Sequence, residues 1–356
     1  MTRDPLAPVD PIAGRRFAYA RAAAEEGDLG AAADLFEQAL ERAPGWAAAA
    51  FALGETREKL GDLDAAARAF RLSLAADPTD AQGAAARLQL IGRGDKLRAL
   101  PEAYVARLFD QYAPRFDSHV VGKLGYRAPA LIAGALEALA PGRRFASALD
   151  IGSGAGLMGE ALRSRVDRLT GVDLSPAMIA KARERGIYDA LVAGGASALL
   201  ERQPAGAFDL IVAADSLPYI GDLQPLFAAV AAALVPDGLL AFSVELCEGD
   251  GFRLEPTMRF AHSRAYVEEA AGAADLRPLL VQSASTRREA GEDAPGLICV
   301  FKRTEGRACA QRSLEHVFPG PRARGSRWRR RVMVQGGLLL RPAATRLLPT
   351  RAAPWI

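Results

Sequence analysis

Between Arg15 and Arg93 alanine-rich apolar stretches and charged positions recur at helical spacing, and the pattern then repeats itself. Gly27-Asp28-Leu29 returns as Gly61-Asp62-Leu63, Phe36 as Phe70, Leu40 as Leu74 and Pro44 as Pro78, each 34 residues later. The spacing predicts two helical hairpins. The glycine sits at the turn, the phenylalanine and leucine four apart share one buried stripe, small residues let the helices approach, and the proline ends the second helix. Two such units leave an apolar end, which the alanine-rich stretch Ala81 to Ile91 is expected to cover. Gly92 to Pro101 follows as a polar, glycine-containing connection.

Beyond it the period changes. Ser147–Ile151, Arg168–Asp173, Ala190–Ala193, Phe208–Ala213, Leu239–Val244, Leu279–Ser283 and Leu297–Lys302 are short apolar runs that read as strands, with amphipathic helices between most of them. That alternation predicts an α/β domain: a mainly parallel sheet covered by helices on both faces. The last two strands are joined through Thr286 to Pro295 without a helix.

Composition narrows the class. Half of the 356 residues are hydrophobic and 24% are charged, as in folded domains, and the length suits two of them. Cys247, Cys299 and Cys309 share no CxxC spacing and no histidine cluster, so reduced thiols are expected and no metal site. Met1 to Gly14 carries two aspartates and three prolines without an apolar run, and no stretch approaches a membrane span, so a cytoplasmic protein is expected. The net charge of +3 is uneven: residues 304–356 hold eleven arginines against two acids, which leaves the body acidic and gives no sign of a nucleic-acid face. The expected division is therefore a disordered N-terminus (1–14), a repeat array with its covering helix (15–93), an α/β domain (98–303, with 98–140 as a helical lid) and a basic, disordered tail (304–356).

The chemistry concentrates where strands end. Leu149-Asp150-Ile151-Gly152-Ser153-Gly154-Ala155-Gly156 is an apolar strand running into three glycines, a backbone that a ligand can approach closely. A dinucleotide fingerprint would carry its last glycine at position 157, but Leu157 stands there. Gly171-Val172-Asp173-Leu174-Ser175 ends a second strand in an acid able to accept hydrogen bonds from ribose hydroxyls, before a helix opening at Ser175-Pro176.

On these residues, the segment from about Pro101 to Arg303 resembles the class I methyltransferases, and the 34-residue units resemble tetratricopeptide repeats. The chain is thus similar to the predicted methyltransferases with N-terminal tetratricopeptide repeats, a group also marked by Tyr104 to His119, by Arg259-Phe260-Ala261-His262-Ser263 and by Arg287-Arg288-Glu289. The resemblance implies a Rossmann-like methyltransferase sheet behind an all-α hairpin array, closing in a terminal strand hairpin. It implies S-adenosyl-L-methionine as cofactor. Gly152 and Gly154 would face the methionine part, Asp150 its ammonium and Asp173 the ribose, with Ser153, Gly156 and Leu174 completing the binding set. Asp215, after Phe208–Ala213, would lie beside the methyl donor. The third strand departs from the family: Gly194-Gly195-Ala196 replaces the acid often found near the adenine. Tyr104 to His119 would fold over the pocket as a lid.

Methyl transfer from a sulfonium asks the protein to align donor and acceptor and to receive a proton from O–H or N–H acceptors. His262 and His119 are the candidate bases, Tyr112 and Tyr266 candidate orienting hydroxyls, and Arg259, Arg287 and Arg288 candidates to hold an acidic substrate group. The expected activity is methylation of an unidentified protein or small-molecule acceptor, with the repeats recruiting target or partner. On that view residues 98–303 alone retain the cofactor. The alternatives are a non-catalytic adaptor of the same fold and, less well matched, a nicotinamide-dependent oxidoreductase.

Overall fold

The computed structural model describes residues 10–116, 126–289 and 292–304. The first hairpin pairs α1 (Pro11–Glu26) with α2 (Leu29–Arg42), the second α3 (Ala47–Lys59) with α4 (Leu63–Ala76), and α5 (Ala84–Leu90) covers the end. Asp10 caps α1 by accepting from the N–H groups of Ile12 and Ala13, so the N-terminal helix starts at Pro11, inside the stretch expected to be disordered. Asp28 and Asp62 cap α2 and α4 in the same way, through Ala31 and Ala65.

The 34-residue register runs deeper than the positions that revealed it. Phe17 packs on Phe36 and Phe51 on Phe70, each pair with centroids 5.4 Å apart. At the next equivalent position Ala20 is fully buried, while Gly54 lies so close to Phe70 that an added Cβ would stand 2.5 Å from the ring. Small residues are required at that helix crossing.

Among the described residues eleven strands follow: β1 (Phe145–Ile151), β2 (Val166–Asp173), β3 (Ala190–Ala193), β4 (Phe208–Ala213), β5 (Leu234–Leu246), β6 (Phe252–Glu255), β7 (Arg259–His262), β8 (Leu276–Ala284), β9 (Arg288–Glu289), β10 (Glu292–Asp293) and β11 (Gly296–Arg303). The main sheet runs β3-β2-β1-β4-β5-β11-β8. Its first five strands are parallel, and β11 inserts antiparallel between β5 and β8. Successive side chains of β1 and β4 point to opposite faces. Leu149, Ile151 and Ile211 join Phe227, Phe242 and Phe301 in one core layer; Ala148, Leu210 and Val212 join Ile132, Leu136 and Met158 in the other.

Three features differ from expectation. The antiparallel flap β6–β7, attached to the end of β5, lies outside the seven runs expected as strands; its short runs sit among glycines and charges. Helix Ala128–Leu139, expected in the lid, packs instead in the second core layer beneath β1 and β11. The connection after α5 is no free linker: Leu97 N–H donates to Gln89 Oε1, Leu100 N–H to Tyr219 O, and the Gly221 and Asp222 N–H groups both donate to Arg98 O. The tail beyond Thr304 lies outside the described residues. Among the described residues no helix is long and apolar enough to cross a membrane.

Candidate cofactor cleft and acceptor site

The parallel strands deliver their C-terminal ends to one cleft of about 440 Å³, a size typical of small-molecule sites, ~300–1,000 Å³. The loop after β1 turns on Gly152 (φ 69°) and Gly154 (φ 51°), a left-handed backbone that other residues adopt only under strain. An added Cβ on Gly152 would collide with Ser216. The loop is anchored from beneath, because Gly152 and Ser153 both donate their N–H to Val172 O. Asp173, at the end of β2, accepts from Gly154 N–H at 2.9 Å and from Ser175 N–H at 2.8 Å. Burial pushes its carboxyl up, and those two backbone bonds pull it back. Each carboxylate oxygen keeps a further acceptor lobe.

The lid closes over this edge. Helix α6 (Glu102–Tyr112) brings Tyr104, Val105, Leu108, Phe109 and Tyr112 to the cleft wall, and Phe116 follows. At its far end Asp110 Oδ1 accepts from Ser175 Oγ at 2.5 Å and from Ala177 N–H at 3.1 Å, so a lid carboxylate supports the start of helix Pro176–Glu184. At its near end Val105 and Leu100 share an apolar core with Ala86 of α5 and with Leu254, Met258 and Phe260 of the flap. Gly83 takes a left-handed backbone there (φ 79°), and a Cβ on it would lie 2.8 Å from the Tyr104 ring.

Gly152, Ser153, Gly154, Asp173, Leu174 and Asp215 all line the cleft, as does Tyr112, whose hydroxyl burial pushes up to about 12. Ser153 Oγ is buried in this wall without a partner among the described residues, a polar atom suited to a ligand. Asp150 and Gly156 are not in the wall. Asp150 is fully buried under the loop, where Tyr188 Oη donates to its Oδ2 at 2.6 Å. Burial raises its pKa to about 7, against the pull of that hydrogen bond and with a further push from Asp173. Gly156 starts helix Leu157–Leu162 and, with Gly159 and Gly171, clears room for the Tyr188 ring. Nothing in the sequence pattern marked Tyr188.

The acceptor side is corrected more heavily. His262 has no exposed surface and does not line the cleft; its Nε2 donates to Ile220 O at 2.9 Å and Gly221 O at 3.1 Å. Burial lowers its pKa to about 4 despite those carbonyls, and its ring stacks on Tyr266. It is a structural tie, not a base poised near neutrality. Tyr266 does not itself line the cleft; its hydroxyl donates to Asp222, which does, and accepts from the Leu223 N–H. His119 lies outside the described residues.

Arg259 and Arg287 do line the cleft, but their charges are taken within the protein. Arg259 pairs with Asp215 at 2.9 Å and with Glu245, and donates to Tyr219 Oη at 2.9 Å; Arg287 pairs with Glu245 at 2.5 Å. Burial pushes Glu245 up, and the two guanidinium groups outweigh it and hold its carboxyl below the usual range. Two cations and two anions therefore balance in a buried quartet, and Glu245, its centre, was missed by the sequence reading. The side chain of Arg288 is not among those described.

Residues 149–242 match the model of a family described as methyltransferase domain, and residues 23–90 that of a tetratricopeptide repeat. In residues 149–242 the chain is thus similar to a methyltransferase domain. Among curated proteins, malonyl-[acyl-carrier protein] O-methyltransferase of Salmonella typhimurium is 32% identical over 162 residues, covering 46% of this chain and 61% of its own length. Trans-aconitate 2-methyltransferase of Paracidovorax citrulli is 33% identical over 141 residues, covering 39% and 50%. The chain thus spans less than two thirds of the curated relatives it matches. A solved structure, the 1,6-didemethyltoxoflavin-N1-methyltransferase of Burkholderia thailandensis with bound S-adenosylhomocysteine, aligns at a TM-score of 0.46 and 22% identity, over 59% of this chain and 93% of that one.

Proposed function

We propose that this protein transfers a methyl group from S-adenosylmethionine to a protein or small-molecule acceptor, with the repeat array presenting the acceptor or a partner. The observation that carries the reading is Asp173, whose carboxylate sits beside the left-handed turn of Gly154 in the same cleft wall as the buried Ser153 hydroxyl. When bound, the cofactor supplies an electrophilic methyl group. The residues of this chain do the rest. Asp173 takes the ribose diol, the Gly152–Gly154 backbone admits the amino-acid end, and Asp150 stands beneath that loop as a buried acid that a nearby ammonium would ionise. Leu108, Phe109, Tyr112 and Phe116 cover the cleft and keep water from it. The Arg259–Asp215–Glu245–Arg287 quartet fixes the wall beyond β4 without leaving net charge there.

Several related proteins bear O-methyltransferase names, so an oxygen acceptor is the first to try. Calorimetry with S-adenosylmethionine, S-adenosylhomocysteine and a nicotinamide dinucleotide tests the cleft. Binding of the first two and not the third is expected, and the reverse would overturn the reading. Label transfer from methyl-labelled cofactor then separates an enzyme from an adaptor, which would bind the cofactor and label nothing.

A further inference from the structure

The order of strands sets the order of subsites along the cleft, in steps of about 4.8 Å. Gly194 and Gly195 follow β3, Asp173 ends β2, the glycine loop follows β1 and Asp215 follows β4, in the spatial order β3-β2-β1-β4. A nucleoside whose ribose meets Asp173, with its reacting end toward the glycine loop and Asp215, must therefore lay its base at the end of β3. The chain offers no side chain there at residues 194 and 195. The space is filled from elsewhere: a Cβ on Gly195 would stand 2.5 Å from Glu102 Oε1 and 3.3 Å from Oε2. The carboxylate of a residue nearly a hundred positions upstream thus occupies the place that a side chain at position 195 would take. Both residues line the cleft, beside Ala196, Ser197 and Leu226.

Glu102 is held there by its surroundings. It opens the first turn of α6, next to Leu100, whose N–H is bonded to Tyr219 O, and the helix is pinned at its other end by Asp110 on Ser175. Val105, on the following turn, is buried against α5 and the flap. We propose that Glu102 reads the base of the cofactor, accepting a hydrogen bond from the exocyclic amino group of adenine, and that Gly195 is side-chain-free because the lid supplies this acid. An ionised carboxylate only accepts, so it favours a ring bearing an amino group and gains nothing from one without it. This assignment rests on the S-adenosylmethionine reading of the cleft.

The test compares S-adenosylhomocysteine with its analogue carrying unsubstituted purine in place of adenine, by calorimetry. Because Glu102 is an exposed rim residue, the wild-type protein is expected to prefer the amino form by about tenfold. Glu102→Ala should lose about that factor for S-adenosylhomocysteine and change by less than about twofold for the purine analogue. Adding Gly195→Asp to Glu102→Ala should restore the preference, since it places a carboxylate in the same space from the other side. Equal losses for both ligands, or no loss for either, would overturn the assignment of Glu102 while leaving the cofactor reading intact. A wild-type protein that binds neither ligand would overturn the cofactor reading, and this assignment with it.

Discussion

The repeat array and the α/β domain bury similar side chains by different routes. In the array each contact is local: Phe36 meets Phe17 from the preceding helix, Phe70 meets Phe51, and the next unit repeats the arrangement 34 residues later. In the domain the decisive neighbours are distant in sequence. Asp110 meets Ser175, Arg259 meets Asp215, and Glu102 meets Gly195. Local contacts can be read from periodicity, whereas contacts between strand ends depend on topology. The junction belongs to both regimes, because α5 completes the array and also walls the lid.

The largest effect should come from cutting at that junction. Removing residues 10–91 uncovers Val105, Leu254 and Met258, which α5 shields, and should disorder the lid. Cofactor affinity is expected to fall ~200-fold or more, about 3 kcal/mol, with loss of hydrogen-exchange protection over Tyr104 to Tyr112. Retained affinity and a protected lid would restore the simpler picture of the array as a detachable recruiting platform.

Next is Asp173→Ala, inside the domain alone, which should weaken S-adenosylhomocysteine binding by about 1.5–3 kcal/mol through lost bonds to a charged acceptor. An unchanged dissociation constant in a folded variant would remove Asp173 from the site.

A matched pair of glycines separates the array from the junction. Gly54→Ala and Gly83→Ala each force a methyl group against an aromatic ring, and each should cost about 1–3 kcal/mol of stability. Only Gly83→Ala, which displaces Tyr104, should also weaken cofactor binding; equal effects on affinity would mean that the whole array, not its last helix, supports the cleft.

The smallest effect is electrostatic. Burial holds the Asp150 pKa at about 7, above its ordinary value of 3.8, so the folded ligand-free protein retains a proton that the unfolded chain gives up. That contribution is fully present below about pH 4 and is lost as pH rises through about 7. Asp150→Asn should flatten this segment of the melting-temperature profile. A profile unchanged by the substitution would show that Asp150 titrates normally.

The glycine loop, Asp173 and the strand ends were legible because a sharp turn and an acid after an apolar run leave a local signature. His262 misled for the opposite reason: its residue type suits proton transfer, but only the fold decides that two backbone carbonyls face it. Glu245 and Tyr188 left no signature at all, since their partners lie on other strands and loops.

By itself the sequence determined the two helical hairpins, the parallel sheet with its antiparallel end, and the glycine loop and acid that meet in the candidate cleft, because helical and strand periods are properties of neighbouring residues. The tertiary structure decided which charges cancel, which histidine is sealed and where the lid rests. Strand order and helix docking bring those groups together across more than forty residues of chain, beyond the reach of any local pattern.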